Sequence, residues 1–129
     1  MQRLLKVFYL LFFVVFFISS VQAKAEDLRT NVLEIERASY LIVMRAYDIG
    51  AQYKRLDYCR NLHDNGLSRL LSSTHGQAQI AFARVLYSWV ETACVGAVRG
   101  TFTREQVDRE IRQKLRNWGC GYGVCDQNF

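Results

Sequence analysis

The sequence contains no proline and only two histidines among its 129 residues. Proline is the residue that most strongly breaks helices, and about 5% would be usual, so its absence favours long helices and leaves no Pro-rich linker. With only two histidines, the chain has few side chains from which a histidine-based catalytic or metal site could be built. The chain also lacks the Gly-x-Ser-x-Gly motif of many serine hydrolases, and no segment alternates apolar and polar residues long enough to predict a strand.

The first 23 residues have the pattern of a secretory signal peptide. Two early cations precede an apolar run over residues 7–18 and a short polar stretch that ends at Ala23. The apolar run is too short to span a bilayer, which takes about 20 residues. We therefore expect a signal peptide over residues 1–23, cleaved after Ala23 or Ala25, and a periplasmic or secreted protein. An uncleaved anchor is the alternative.

Residues 24–129 have the length of a single domain. Two of the 17 Lys and Arg residues lie in the signal segment, which leaves 15 cations against 12 anions and a net charge of +3. Nucleic-acid binding normally requires a strong basic stripe, and this excess is too small to predict one. We expect no cofactor, and contact with the membrane only through the signal peptide.

All four cysteines follow the signal peptide, and an even number in a short exported chain predicts disulfides. The favoured pairing is Cys59–Cys94 and Cys120–Cys125. Glycines at 121 and 123 let the short loop close, and pairing in chain order is what an oxidase would make first. A thiolate metal site with His63 or His75 is the alternative. Zinc sites usually have tighter cysteine pairs, so we expect no metal.

Apolar residues recur at helical spacing from Leu28 onward, which predicts an all-α domain of four to five helices, bundle-like or orthogonal. Gly50 is the expected break or bend in the first helix, and Asn61–Gly66, rich in Asn, Asp and Gly, is expected to form a turn. Carboxylates such as Glu34 and Glu36 alternate with arginines, which is typical of a solvated helix face.

Two segments, Thr74–Gln77 and Thr103–Gln106, match the capping box that starts a helix. The helix that begins at the first of these boxes runs to about residue 98. It is the most apolar helix of the domain, so we expect it to lie at the centre. In the last helix, residue 102 is expected to pack onto Val107, and Gly119 is the expected stop. Its buried stripe is predicted to be Val107, Ile111, Leu115 and Trp118.

The run from Cys59 to Asp64 resembles the Cys-x2–3-His-Asp signature of secreted phospholipases A2. The resemblance implies that His63 acts as a general base on water and that Asp64 helps to bind calcium. The chain departs from that family because no glycine-rich loop precedes His63, and the helix downstream offers only Glu91 to orient the imidazole. A turn in which Asp64 satisfies backbone groups is the alternative interpretation.

Three functional classes remain. We expect a non-enzymatic interaction protein, such as an inhibitor, immunity protein, adaptor or chaperone, that binds a protein partner through its surface. Its general plan is similar to that of small helical periplasmic immunity proteins. Arg99, Arg104 and Tyr122 are the expected contacts, because Arg and Tyr are enriched at binding hot spots. The alternatives are a carrier of a lipid or apolar ligand between helices, and a calcium-dependent hydrolase built on His63.

The exported protein should begin at Lys24 or Glu26, because the small residues that a signal peptidase requires precede both positions. Intact-mass analysis of the exported protein would identify the terminus. A protein that still carries Met1 in a membrane fraction would contradict the prediction.

Overall fold

The computed structural model describes the backbone of residues 2–125 and the side chains of residues 27–125. This part contains four helices and no strand: α1 (Gln2–Tyr53), α2 (Leu56–Ser73), α3 (Gln77–Arg99) and α4 (Arg104–Cys120). The prediction of an all-α chain is confirmed. The predicted signal peptide over residues 1–23 lies outside the described side chains and stays a prediction. Among the described residues, no helix combines the length and apolar character needed to cross a membrane.

Helix α3 lies at the centre of the domain. Helices α1 and α2 both pack along it, while α4 packs mainly along α1. The apolar face that the sequence places on α3 is buried, including Ala83, Val90, Cys94 and Ala97. Burial of such a face is the main source of stability for helices in a small domain, which explains why the most apolar helix takes the central position.

Three helices meet at Cys94 of α3. A disulfide joins it to Cys59 of α2, with 5.5 Å between the Cα atoms. On α1, Gly50 lies so close to the Cys94 carbonyl oxygen that any added Cβ would overlap with it. The expected break at Gly50 is therefore wrong: α1 continues to Tyr53, and this glycine permits close helix packing instead of ending the helix.

The break comes at Lys54, which adopts the left-handed conformation with a φ of 52°. Its N–H donates to the Gly50 carbonyl oxygen at 3.0 Å, which satisfies one carbonyl at the end of α1. Arg55 is extended and precedes α2. A single left-handed residue is enough to reverse the chain, although lysine takes this conformation less readily than glycine.

The turn expected at Asn61–Gly66 is also wrong, because these residues lie inside α2. Cys59 lies on the α2 face that packs on α3 and is completely buried there. Gly66 comes so close to α3 that an added Cβ would overlap with the Tyr87 ring. Packing against α3 therefore outweighs the local preference of Asn, Asp and Gly for a turn.

The capping box expected at Thr74–Gln77 is absent. Thr74 instead ends α2, and its hydroxyl donates to the carbonyl oxygen three residues earlier at 3.2 Å. Helix α3 begins after Gly76 with no side-chain cap. The Gln79 side chain accepts a hydrogen bond from the His75 N–H at 3.0 Å. Gln79, and not the expected Gln77, therefore satisfies the backbone N–H that precedes α3.

The second capping box is confirmed. Thr103 Oγ1 accepts a hydrogen bond from the Gln106 N–H at 3.2 Å, and Gln106 Oε1 accepts one from the Thr103 N–H at 2.9 Å. The Phe102 ring, expected to staple onto Val107, packs against Gly96 of α3. This contact anchors the α3–α4 connection to the central helix.

The expected stop at Gly119 is wrong by one residue, since α4 ends at Cys120. Gly119 is buried, and its carbonyl oxygen accepts hydrogen bonds from the N–H groups of Tyr122 and Val124, both at 3.0 Å. The left-handed glycine is Gly123, with a φ of 80°. The second disulfide, between Cys120 and Cys125, closes this short loop.

A polar network joins α1 to α4. The Tyr40 hydroxyl donates to Asp108 Oδ1, and Arg112 Nε donates to both Asp108 carboxylate oxygens at 3.1 Å. The hydrogen bond from Tyr40, followed by those from Arg112, lowers the pKa of Asp108, whereas burial raises the pKa of Tyr40. Glu36, one turn before Tyr40, is 0% exposed, so the expectation of a solvated face is wrong for this residue.

We predict that Thr103→Ala lowers the free energy of unfolding by about 1 kcal/mol, because the N–H of Gln106 loses its cap. Chemical denaturation followed by circular dichroism would measure the change. Thr92→Ala is the matched control, since Thr92 is exposed within α3 and caps no helix. Equal loss of stability in the two variants would contradict the role of the cap.

Candidate binding groove

An open groove of about 720 Å³ lies between α1 and α2, with α3 as its floor. Pockets for small ligands usually have volumes of about 300–1,000 Å³, so this groove is large enough to bind a ligand or a short segment of a protein. The α1 wall consists of Ile42, Arg45, Ala46, Ile49 and Tyr53. The α2 wall consists of Tyr58, Asn61, Leu62, Asn65, Gly66 and Arg69, and the floor of Tyr87 and Val90.

The spacing along each helix explains these two walls. The α1 residues follow Ile42 by three, four, seven and eleven positions, and those of α2 follow Tyr58 by three, four, seven, eight and eleven. Residues with these separations lie on one face of a helix. Each wall is therefore a continuous helix face, held by the regular backbone hydrogen bonds of its helix.

The groove is closed at the end where α1 turns into α2. The Tyr53 and Tyr58 rings lie there with their centroids 5.1 Å apart, and the Arg55 guanidinium carbon lies 4.8 Å from the centre of the Tyr58 ring. Arg55 also binds Asp57 through two hydrogen bonds of 3.0 and 2.7 Å. Helices α1 and α2 contact each other much less than either contacts α3. The groove runs from this turn to Ile42 on α1 and Arg69 on α2, and we call that end, which no turn joins, the open end.

The groove has positive charge over an apolar floor. Arg45 on α1 and Arg69 on α2 are both exposed, and neither forms an ion pair within the described part of the chain. None of the described lining residues is acidic. Two other arginines are not available in this way, since Arg55 pairs with Asp57 and Arg104 with Asp48. The two groove arginines are thus available to an anionic partner.

Apolar side chains continue along the rim of α1 beyond the groove. Leu28, Ile35 and Ile42 are partly exposed at intervals of seven residues, and Leu41 beside them is 65% exposed. Isolated exposed apolar residues are common, but a stripe that continues a groove is typical of an interaction surface.

His63 lies outside this groove, in a second and smaller depression of about 420 Å³ on the other side of α2. Its Nδ1 is 2.8 Å from Asp64 Oδ1, and its Nε2 is 3.9 Å from Glu91 Oε2, which is beyond hydrogen-bonding distance. The carboxylate nearest to the imidazole is therefore Asp64, which the phospholipase resemblance assigns to calcium. Among the described residues, no group of three or more His, Cys, Asp or Glu side chains could hold a metal ion.

The three residues expected to contact a partner do not lie on one surface. Arg99 lines the depression beside His63, and Arg104 is paired with Asp48 at 3.0 Å. Tyr122 lies at the other end of α4, about 25 Å away at the rise of an α-helix. Its ring packs on Trp118, with 5.1 Å between the centroids, and is 44% exposed.

Sequence reasoning missed the residues of the groove. The assignment of Asn61–Gly66 to a turn hid the helical spacing that places Asn61, Asn65 and Arg69 on one face. Arg45 could have indicated the groove from the sequence, because it interrupts a segment of α1 that is otherwise apolar on nearly all sides. A charged residue at such a place indicates that one side of the helix meets solvent.

No protein-family model, no curated protein and no solved structure matches this chain.

We predict that the double variant Cys59→Ala/Cys94→Ala loses about 4 kcal/mol of unfolding free energy. The disulfide closes a loop with a sequence separation of 35 and holds the α2 wall on α3. Cys120→Ala/Cys125→Ala is the control; its separation is 5, and the expected loss is about 2 kcal/mol. Urea denaturation of both variants would measure the difference. A larger loss in the control would contradict the prediction.

Proposed function

We propose that this protein is an exported, non-enzymatic interaction protein that binds a protein partner in the groove between α1 and α2. Inhibitors, immunity proteins, adaptors and chaperones all act by binding a protein partner. Two disulfides fit an oxidising compartment, such as the periplasm or the exterior of the cell.

The observation that carries the proposal is the set of side chains in the groove. Tyrosine and arginine dominate binding hot spots, because each combines a large contact area with a polar group. Here Tyr53, Tyr58, Arg45 and Arg69 lie on the two walls, and Tyr87 forms the floor with Val90. Both walls are regular helices, so little conformational entropy would be lost on binding.

The charge of the groove selects the kind of partner. Two arginines without ion pairs among the described residues, and no acidic residue in the described lining, favour a segment that carries carboxylates. Complementary charge accelerates association and excludes basic competitors. The partner segment should therefore combine acidic side chains with apolar ones.

We predict that Arg45→Glu/Arg69→Glu weakens binding of the partner at least tenfold, since loss of a hot-spot side chain costs about 2 kcal/mol or more and a tenfold change corresponds to about 1.4 kcal/mol. The protein would be used to capture its partner from periplasm or culture supernatant, and mass spectrometry would identify bound protein and lipid together. Titration with the captured protein then gives the affinity of each variant.

The matched control is Arg109→Glu/Arg116→Glu, which changes the net charge equally at two exposed positions on α4. Binding should survive in this control. Equal weakening by both double variants would show only an effect of net charge and contradict the proposed site. Recovery of a lipid without any protein would favour the carrier instead.

A further inference from the structure

We infer that the segment bound in the groove is an amphipathic α-helix of about three turns, with its acidic side chains at the open end. This inference rests on the proposed function, since it specifies which element of the protein partner enters the same groove. Three features of the groove support it: its length, the nature of its walls and the position of its arginines.

The length of the groove corresponds to a short helix. Along α1 it extends from Tyr53 to Ile42, and along α2 from Tyr58 to Arg69, which is twelve residues, or eleven steps of the helix, in each case. At 1.5 Å per residue each wall is about 16 Å long, the length of about three helical turns.

The walls favour a helix over an extended segment. An extended peptide leaves its backbone N–H and C=O groups without partners unless it can pair with the edge of a sheet. The described part of this chain contains no strand that could supply such an edge. Apart from the Asn61 and Asn65 amides on the α2 wall, the lining between the two ends of the groove includes the apolar side chains of Ile49, Leu62 and Val90. A helix satisfies its own backbone groups and would present only an apolar face to these residues.

The rim of α1 shows a second helical signal. Leu28, Ile35, Ile42 and Ile49 are separated by seven residues each, which is the interval of one of the two apolar positions in a heptad seam between packed helices. The first three are partly exposed, so this seam has no occupant within the described chain. A helix that leaves the open end of the groove would continue along it.

The two arginines determine where the acidic residues of the bound helix lie. Tyr53 and Tyr58 mark the closed end, whereas Arg45 and Arg69 are eight and eleven residues away from them along their helices. Both guanidinium groups therefore belong to the open half of the groove. The bound helix should be apolar and aromatic near the closed end, with its carboxylates near the open end.

Phage display tests this inference. A random library of 12-residue peptides is selected for binding to the protein expressed from the full chain. Peptides are selected on the native protein and counter-selected on Arg45→Glu/Arg69→Glu. We expect enriched sequences with apolar residues at i, i+3 or i+4, and i+7, and with Asp or Glu near one end. A synthetic consensus peptide should become helical on binding, as measured by circular dichroism.

Two comparisons complete the test. The consensus peptide should bind at least tenfold more weakly to the double arginine variant, but not to Arg109→Glu/Arg116→Glu. A proline in the middle of the peptide should also weaken binding at least tenfold, because it prevents the helix.

Each other result overturns the inference in a distinct way. Acidic peptides that bind through the arginines but tolerate the proline would leave the proposed function in place and exclude the helix. Absence of any peptide that depends on the arginines would count against both. Sedimentation that detects a dimer abolished by Arg45→Glu/Arg69→Glu would identify a second copy of this chain as the occupant instead.

Discussion

The meeting of three helices at Cys94 is the constraint on which the rest of this structure depends. Its sulfur is bonded to Cys59 of α2, and its carbonyl oxygen lies where only a glycine of α1 can fit. The covalent bond fixes α2 on α3, and the steric fit fixes how deeply α1 approaches. Because both contacts lie near one end of α3, they hold α1 and α2 against α3 at that end.

The groove lies between α1 and α2 where both helices pack along α3. Two helices that pack along the same neighbour and contact each other little leave a groove between them, and its sides are helix faces that neither partner covers. In this protein the uncovered faces carry Ile42, Arg45 and Arg69. The same disulfide that stabilises the domain thus holds the α2 wall of the groove on α3.

Helix α4 stabilises the opposite side of α1 through polar contacts. Tyr40, Asp108 and Arg112 form a connected set of hydrogen bonds, and the Arg112 guanidinium carbon also lies 4.4 Å from the centre of the Tyr40 ring. Glu36 is completely buried on α1 one turn from Tyr40. Helix α4 thus covers a side of α1 that the groove does not use.

The sequence by itself determined the elements that depend on neighbours within one or two turns. These are the helical spacing of apolar residues, the reciprocal cap between Thr103 and Gln106, and the absence of strands from residues 2–125. Contacts between distant segments decided the rest. Packing on α3 kept Gly50 and Asn61–Gly66 helical against their local preference, because burial contributes more energy than intrinsic propensity. Only the tertiary structure could bring Arg45 and Arg69 to one groove, since no local signal records which helix faces remain uncovered.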